Sequence, residues 1–437
     1  MIAPHSPFAP QCETIAVCLD DSPAHPVSAT AAPPPAPAAF AMTPLERRAS
    51  ASLATIFGLR MLGLFLVLPV FALEARQYPG GDDPARIGLA MGIYGLTQGL
   101  LQIPFGLASD RWGRKPVIQL GLIVFALGSL WAALAPDLDH LILGRALQGA
   151  GAVSAAVTAL LADLTRDEVR TKAMALVGSS IGLMFALSLV LSPLLAQWVG
   201  LAGLFALTTV LTLGGMVVVH SVVPNAEPSP QSPVSEGLKR VLTHLGLLRL
   251  YFGVFVLHAV QLAMWVSIPA FLVRAGLAQD HHWQVYLPAV LLSFVFMGVF
   301  LFPLERRGRL RLAFIVAIAL IALVQILLLW LASGDPSLTT LSVLLFVFFC
   351  GFNVLEACQP SLASRLAPAS ARGAAMGVYN TLQSLGFFVG GWVGGLLVRG
   401  YGTQGLFVSC ASAMLLWLLV ASGMSAPGRH DPPPKAP

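Results

Sequence analysis

Twelve apolar runs, each about twenty residues or longer, follow one another along this chain at approximately 50–73, 86–108, 116–135, 139–162, 173–197, 201–223, 249–274, 284–304, 312–333, 337–361, 374–398 and 403–424. A hydrocarbon layer of about 30 Å is crossed by roughly 20 apolar residues in a helix. In that layer the backbone must bond to itself, so each run is predicted to be a helix. Charged residues make up only 10% of the 437, against about 25% in ordinary soluble domains. The expected class is an all-α membrane protein with twelve transmembrane helices.

The basic residues are spread over short connections, which excludes a nucleic-acid-binding face despite the net charge of +5. Read by the positive-inside rule, one side collects Arg47, Arg48, Arg111, Arg114, Lys115, Arg166, Arg170, Lys172, Lys239, Arg240, Arg306, Arg307, Arg309, Arg311, Arg365, Arg372, Arg429 and Lys435. The other side collects Arg76, Arg86, Arg274 and Arg399. This bias puts both termini and the central linker in the cytoplasm. Cys12, Cys18, Cys350, Cys358 and Cys410 have no metal-site spacing. The adjacent His281 and His282 do not make a metal site either, so neither metal nor cofactor is expected.

Residues 1–44 read as a disordered Ala/Pro-rich tail. Met42 is read as the native start, which N-terminal sequencing that found residues 1–41 in the natural product would overturn. Residues 45–223 and 249–424 are expected to be two six-helix bundles, 224–248 a Pro-containing cytoplasmic linker, and 425–437 a second disordered tail. The two halves carry traces of a duplication. Asp110-Arg111-Trp112-Gly113-Arg114 aligns with Glu305-Arg306-Arg307-Gly308-Arg309, and Lys172-Ala173-Met174-Ala175 with Ala374-Ala375-Met376-Gly377. Six spans per half is even, so the repeats run parallel and are related by an axis along the membrane normal.

Gly106-x-x-x-Asp110-Arg111-x-Gly113-Arg114-Lys115 lies between the second and third runs, and Arg145-Ala146-Leu147-Gln148-Gly149 in the fourth. The first resembles the signature loop of the major facilitator superfamily, the second its Arg-x-x-Gln-Gly element. Further likeness to the drug–proton antiporter-like group, and within it to YajR-type transporters, lies in Arg60-Met61-Leu62-Gly63 with Val67-Leu68-Pro69-Val70, in residues 159–166 ending the fourth run, and in Phe352-Asn353-Val354-Leu355-Glu356-Ala357. The likeness covers about residues 45–424. It implies two pseudo-symmetric six-helix bundles and transport by alternating access. YajR-type members can carry an extra C-terminal domain, which nothing in this sequence supports. One departure stands out: the fifth run has Ser192-Pro193 where drug antiporters of this superfamily show Gly-Pro.

The signature loop suggests a conformational latch built from Gly106, Asp110, Arg111, Gly113, Arg114, Lys115 and Asp163. Asp110 can cap the N-terminus of a neighbouring helix, which the resemblance implies is the eleventh. Arg114 can pair with Asp163. Gly106 and Gly113 allow close approach and a tight turn. The plainer reading is that the basic residues only set topology. In the fifth run Gly182 is a packing position and Pro193 is expected to bend the helix. In the eleventh, Gly390 and Gly391, with Gly386, Gly394 and Gly395, suit close packing or sliding.

Charge within a span is costly and marks pathways and relays. Glu356 is the one carboxylate deep in a run, nine residues before Arg365 and so about 14 Å from the cytoplasmic end. It is expected to take up a proton or to pair with a cationic substrate; the alternative is a neutral structural carboxyl. Asn353 and Gln359 lie about one turn away. Arg145, with Gln148 one turn on, is given a part in proton coupling by the resemblance; otherwise it bonds helix carbonyls. Arg60 is a cavity residue or snorkels to the cytoplasmic surface. His258 reads first as a packing residue. Gln98, Trp265, Tyr379, Asn380, Gln383 and Phe387 suit a large chamber for amphipathic molecules.

These readings predict a monomer in the bacterial inner membrane, with protons, lipid and a small molecule as its partners. Proton-coupled export of amphipathic or drug-like compounds is the expected activity. The alternative is a symporter or facilitator that imports a metabolite. A membrane-embedded enzyme would need paired acids or a His/Asp cluster at one depth, and the runs offer neither.

Overall fold

In the computed structural model the described residues are 41–224, 234–307, 309–334, 336–368 and 371–424. Both tails, the proline-rich part of the linker and Gly308 of the second loop copy lie outside them. The described residues are helical almost throughout. In chain order the helices are α1 (Pro44–Phe65), α2 (Leu68–Glu74), α3 (Pro84–Trp112), α4 (Arg114–Ala133), α5 (Leu138–Ala150), α6 (Ser154–Asp163), α7 (Asp167–Ser221), α8 (Val234–Thr243), α9 (Leu245–Arg274), α10 (Trp283–Arg306), α11 (Leu310–Leu331), α12 (Leu338–Leu366) and α13 (Arg372–Ser422). Among the described residues nine helical stretches are long and apolar enough to cross a membrane. The 29-residue α3 is not one of them, because Gln98, Gln102 and its glycines dilute its apolar content.

The sequence accounts for where helices start and stop. Thr43 accepts from the Glu46 N–H, the Glu46 carboxylate returns to the Thr43 N–H, and Pro44 occupies the first turn, which is a capping box. Asp83 and Asp137 cap α3 and α5 with their carboxylates. A helix of 55 residues would be about 80 Å long, far beyond the bilayer, and α7 indeed departs from helical geometry at Gly200 (φ 61°). The 51-residue α13 does so at Gly402 (φ 66°). No other residue type adopts these angles readily. Pro193 does not interrupt α7, whose departure from helical dihedrals is at Gly200 alone. A proline inside a membrane helix is tolerated when neighbouring groups satisfy the freed carbonyl.

Two features of span geometry depart from the run-by-run expectation. The first run is two helices, with a turn at Leu66–Val67 just ahead of Pro69. The fourth is also two, separated by the non-helical Gly151–Val153.

Buried apolar residues form one large cluster drawn mainly from α9–α13 and joined by residues of α2, α3, α5 and α7, and a second from α1, α4, α6 and both ends of α7. Apolar side chains on the outside complete the membrane character. Trp198, Trp330 and Tyr401 are all more than three-quarters exposed, and all lie near the end where Gly200 and Gly402 turn the chain. That is the placement of an interfacial aromatic belt.

The seam between α3 and α13 positions everything else. Gly88, Gly92, Gly95 and Gly99 recur every three or four residues and so share one face. A Cβ on Gly88 would lie 2.2 Å from the Gly391 carbonyl oxygen; on Gly92, 2.6 Å from that of Phe388; on Gly95, 2.4 Å from that of Ser384. Arg399 of α13 pairs with Asp83 at 3.1 Å at the end of this seam. Beside it Gln279 donates to Glu74 at 2.9 Å. Toward the other end the backbones are not in such contact. A Cβ on Gly373 or Gly377 would meet nothing within 4 Å. One on Gly106 would meet only Ala155 Cβ, at 3.7 Å, so Gly106 is not the close-approach glycine expected of it.

Candidate functional site

At the arginine-rich end, α3 ends and α4 begins on one residue, Gly113, with φ 92°. This turn aims Arg114 inward. Its Nε donates to Asp163 at 2.9 Å, its Nη1 donates to Ser109 Oγ at 2.7 Å, and it also pairs with Asp110. The Arg114 and Asp163 side chains are each 9% exposed. A buried pair of this kind resists loss of either partner more than a surface pair does. Lys115 Nζ donates to the Val223 carbonyl at 2.9 Å, and Arg111 is exposed. Asp110 thus pairs with an arginine four residues along its own turn.

Glu46 was not singled out in the sequence. Its carboxylate takes the Arg166 guanidinium at 2.8 and 3.1 Å, and the Arg166 backbone N–H at 3.1 Å. This ties the start of α1 to the turn that follows Asp163. The Thr43-x-x-Glu46 spacing was the available signal.

Deeper in the same half lie two arginines, each only 2% exposed. Arg60 donates to Ser154 Oγ (3.1 Å), Tyr94 Oη (2.8 Å) and the Gly151 carbonyl (3.4 Å), with its guanidinium over the Phe125 ring. The Gly151 carbonyl belongs to the break between α5 and α6, where a helical partner is lost. That carbonyl also accepts from the Val153 N–H at 2.9 Å, so Arg60 adds a second, longer contact there; buried as it is, it does not snorkel. Arg145 donates to Gln148 Oε1 (2.6 Å) and to the carbonyls of Ala90 and Met91 (3.3 and 3.4 Å), against the Tyr94 and Phe71 rings. Gln148 passes the chain on to Ser129 at 2.9 Å. Among the described residues no carboxylate pairs with either arginine. Carbonyl and hydroxyl oxygens and aromatic faces carry the charge instead, each cation–π contact being worth up to about 2 kcal/mol when desolvated. Tyr94, absent from the sequence reading, lies between the two.

In the other half Glu356 of α12 does not use Asn353 or Gln359. Asn353 donates to Ser293 at 2.7 Å, and Gln359 accepts from Tyr379 at 3.5 Å. Glu356 instead reaches across to α9 and α13. His258 Nε2 lies 3.3 Å from Glu356 Oε2, and Gln383 Nε2 lies 2.7 Å from His258 Nε2 and 3.4 Å from Glu356 Oε1. His258 is 1% exposed and packs edge-on against Phe352 and Phe387. Sequence reading took it for a packing residue because nothing local links positions 258 and 356.

The sides of the expected chamber are only partly open. Gln98, Asn380, Gln383 and Phe387 are half-buried, whereas Trp265 and Tyr379 are buried. The void that Trp265 lines with Gln261, Met264, Phe348 and Phe349 is about 10 Å³, too small for an organic molecule. Gly390 is pressed against the Ala259 carbonyl (2.1 Å for an added Cβ) and Gly391 against Gly88, but Gly182 has Phe294 no nearer than 3.8 Å. Only the first two require glycine for packing. Among the described residues no group of His, Cys, Asp or Glu could hold a metal ion.

A multi-spanning helical protein with buried ionisable groups and a glycine-lined seam between α3 and α13 fits the class of membrane carriers. Comparison with known proteins gives the family: residues 51–391 match the Major Facilitator Superfamily model. The chain is 44% identical over 392 residues to the "Inner membrane transport protein YajR" of Escherichia coli (strain K12), covering 89% of this chain and 86% of that one. It is 28% identical over 350 residues to the "Multidrug resistance protein MdtH" of Proteus mirabilis (strain HI4320), covering 76% and 82%. Among solved structures, a POT family peptide transporter superposes with a TM-score of 0.70 at 13% identity, covering 88% and 99%; this likeness concerns the fold. The chain belongs to the major facilitator superfamily, close to YajR-type proteins, and is a secondary transporter of small molecules, not an enzyme.

Proposed function

We propose that this protein exports small amphipathic cations from the cytoplasm in exchange for protons, by alternating access between two six-helix bundles. Dividing α7 at Gly200 and α13 at Gly402, and adding α3 to the nine apolar stretches, gives twelve spans. On this reading residues 45–223 and 249–424 are the bundles and 224–248 the cytoplasmic linker. The protein is a monomer in the bacterial inner membrane with both termini inside. The closed seam at Asp83–Arg399 and the open space beside Gly373 and Gly377 support an inward-open conformation. The Arg114–Asp163–Asp110 cluster is then the latch that engages when the cytoplasmic side closes.

The observation that carries proton coupling is the contact between His258 and Glu356. His258 Nδ1 lies 2.8 Å from the Val254 carbonyl, an obligate acceptor, so Nδ1 bears the hydrogen. In the neutral ring Nε2 is then an acceptor; the Gln383 amide nitrogen lies 2.7 Å from it, and Glu356 Oε2, a buried oxygen with no hydrogen-bond partner, lies 3.3 Å away. Two acceptors 3.3 Å apart repel. One added proton turns that contact into a hydrogen bond, with the Gln383 amide free to flip to suit. The two residues thus act as one protonation unit. A cationic substrate beside Glu356 would replace the proton, which is the exchange an antiporter needs. Arg60 and Arg145 have structural partners and support the bundle that moves.

Substrate-induced proton release tests this. Purified protein in weakly buffered detergent, titrated with a panel of amphipathic cations, is expected to release protons on binding. Glu356→Gln is expected to bind more weakly and release none. Binding by native protein with no proton release would overturn the exchange.

A further inference from the structure

Away from Glu356, at the Asp83–Arg399 end, the 3-10 turn Ala75–Gln77 and the Gly200 turn of α7 border an open, shallow cleft of about 340 Å³. Its walls include Glu74, Tyr78, Pro79, Pro136 and Leu201. We propose that this cleft is a second binding site, taking small organic cations at the outer mouth, and that its ligand competes with Gln279 for the Glu74 carboxylate.

Four observations carry this. The volume suits a single-ring organic cation rather than an inorganic ion. Glu74 is the acidic group of the wall and is half-buried, where a charge-assisted contact outweighs a neutral one. The rest of the wall offers the faces on which an apolar or quaternary ammonium body rests: a phenol ring, two prolines and a leucine. The Tyr78 hydroxyl is pushed to higher pKa by burial and then by the Glu74 charge, so the field of the carboxylate reaches the cleft. The surroundings agree in sign. On the connections read as facing outward, Glu74, Asp82, Asp83, Asp137, Asp139 and Asp280 outnumber Arg76, Arg86, Arg274 and Arg399, which concentrates cations there.

The link to the gate is Gln279. It comes from the second half of the chain and donates to Glu74 at 2.9 Å. A cation on Glu74 displaces this neutral donor and removes a contact that joins the first and second parts of the chain at this end. The site is therefore an exit station whose occupancy favours opening.

The test uses full-length protein in lipid nanodiscs and benzyltrimethylammonium, read by saturation-transfer NMR. Working in a Glu356→Gln background keeps failure here separate from failure of the proton-exchange reading. Saturable binding is expected to survive in that background and to weaken roughly tenfold on adding Glu74→Gln, as for loss of a charged partner. It is expected to vanish with Ala202→Trp, which fills the cleft, and to be absent for the neutral isostere neopentylbenzene. Gln279→Ala is expected to tighten binding a few-fold, a gain that misfolding cannot produce. Loss of all binding with Glu356→Gln alone would overturn the second site, as would unchanged binding in the Glu74→Gln and Ala202→Trp proteins. Unchanged or weaker binding in Gln279→Ala would overturn the competition.

Discussion

Replacing Gly88 by alanine adds one methyl group at the tightest point of the α3–α13 seam. Its carbon would lie 2.2 Å from the Gly391 carbonyl oxygen and 2.9 Å from Gly395 Cα. Both obstacles are backbone, so neither yields by a rotamer change, and the helices must separate. Overpacking of this kind costs about 1–3 kcal/mol. Alanine also gains roughly 1 kcal/mol of helix propensity over glycine, but in every conformation, so that gain cancels from the gating equilibrium. Where the seam has parted, the methyl meets no backbone. With each 1.4 kcal/mol worth tenfold, a cost of about 2 kcal/mol shifts the equilibrium roughly 30-fold, turning a preference of about 10:1 for the closed seam into about 1:3. Spin labels at Asp82→Cys and Tyr401→Cys, in a background cleared of native cysteines, report this by pulsed electron–electron distance measurement. Gly88→Ala is expected to move most of the short-distance population to longer distances. Gly377→Ala, on the same α13 but with nothing within 4 Å, is the control and is expected to leave the distribution alone. A folded Gly88→Ala protein with the native distribution would refute the steric account of the seam.

Three further outcomes are expected. Asp163→Asn leaves the buried Arg114 without its deepest partner and is expected to cost about 3–5 kcal/mol, whereas Asp110→Asn, at a side chain 27% exposed, costs less; thermal unfolding in detergent ranks the two, and equal losses would contradict the burial argument. Tyr94→Phe keeps the ring under Arg145 but deletes the 2.8 Å bond to Arg60, for an expected loss of about 1.5–3 kcal/mol, readable in the same assay. His258→Phe preserves the packing against Phe352 and Phe387 but removes the shared proton position. It is expected to leave expression and thermal stability near native while flattening the pH dependence of transport, and a native pH profile would exclude His258 from the protonation unit.

Much of this molecule is legible locally. The apolar runs locate the helices to within a few residues, because a membrane helix must be long, apolar and self-bonded. The Gly113 turn and the Arg114–Asp163 pair follow from a loop of known pattern. Glu356 is conspicuous as a carboxylate in an apolar run. What escaped depends on partners far apart in the chain. His258 and Glu356 meet because α9 and α12 pack together, and no periodicity in either helix says so. Arg60 is held by Tyr94 and Ser154, 34 and 94 residues away. Asp83 and Arg399, 316 residues apart, are unremarkable charges until α3 and α13 are seen side by side. By contrast the spacing of Gly88, Gly92, Gly95 and Gly99 was present to be read, and marks the face on which α3 meets its neighbour.

The central claim is that protons drive transport through Glu356. Native protein and Glu356→Gln, reconstituted in proteoliposomes of equal protein content, should be compared for the initial rate of uphill movement of an amphipathic cation under an imposed pH gradient. Native protein is expected to concentrate the compound against protons, and the variant to lose uphill flux while keeping downhill exchange. Equal uphill flux in the two would contradict the account.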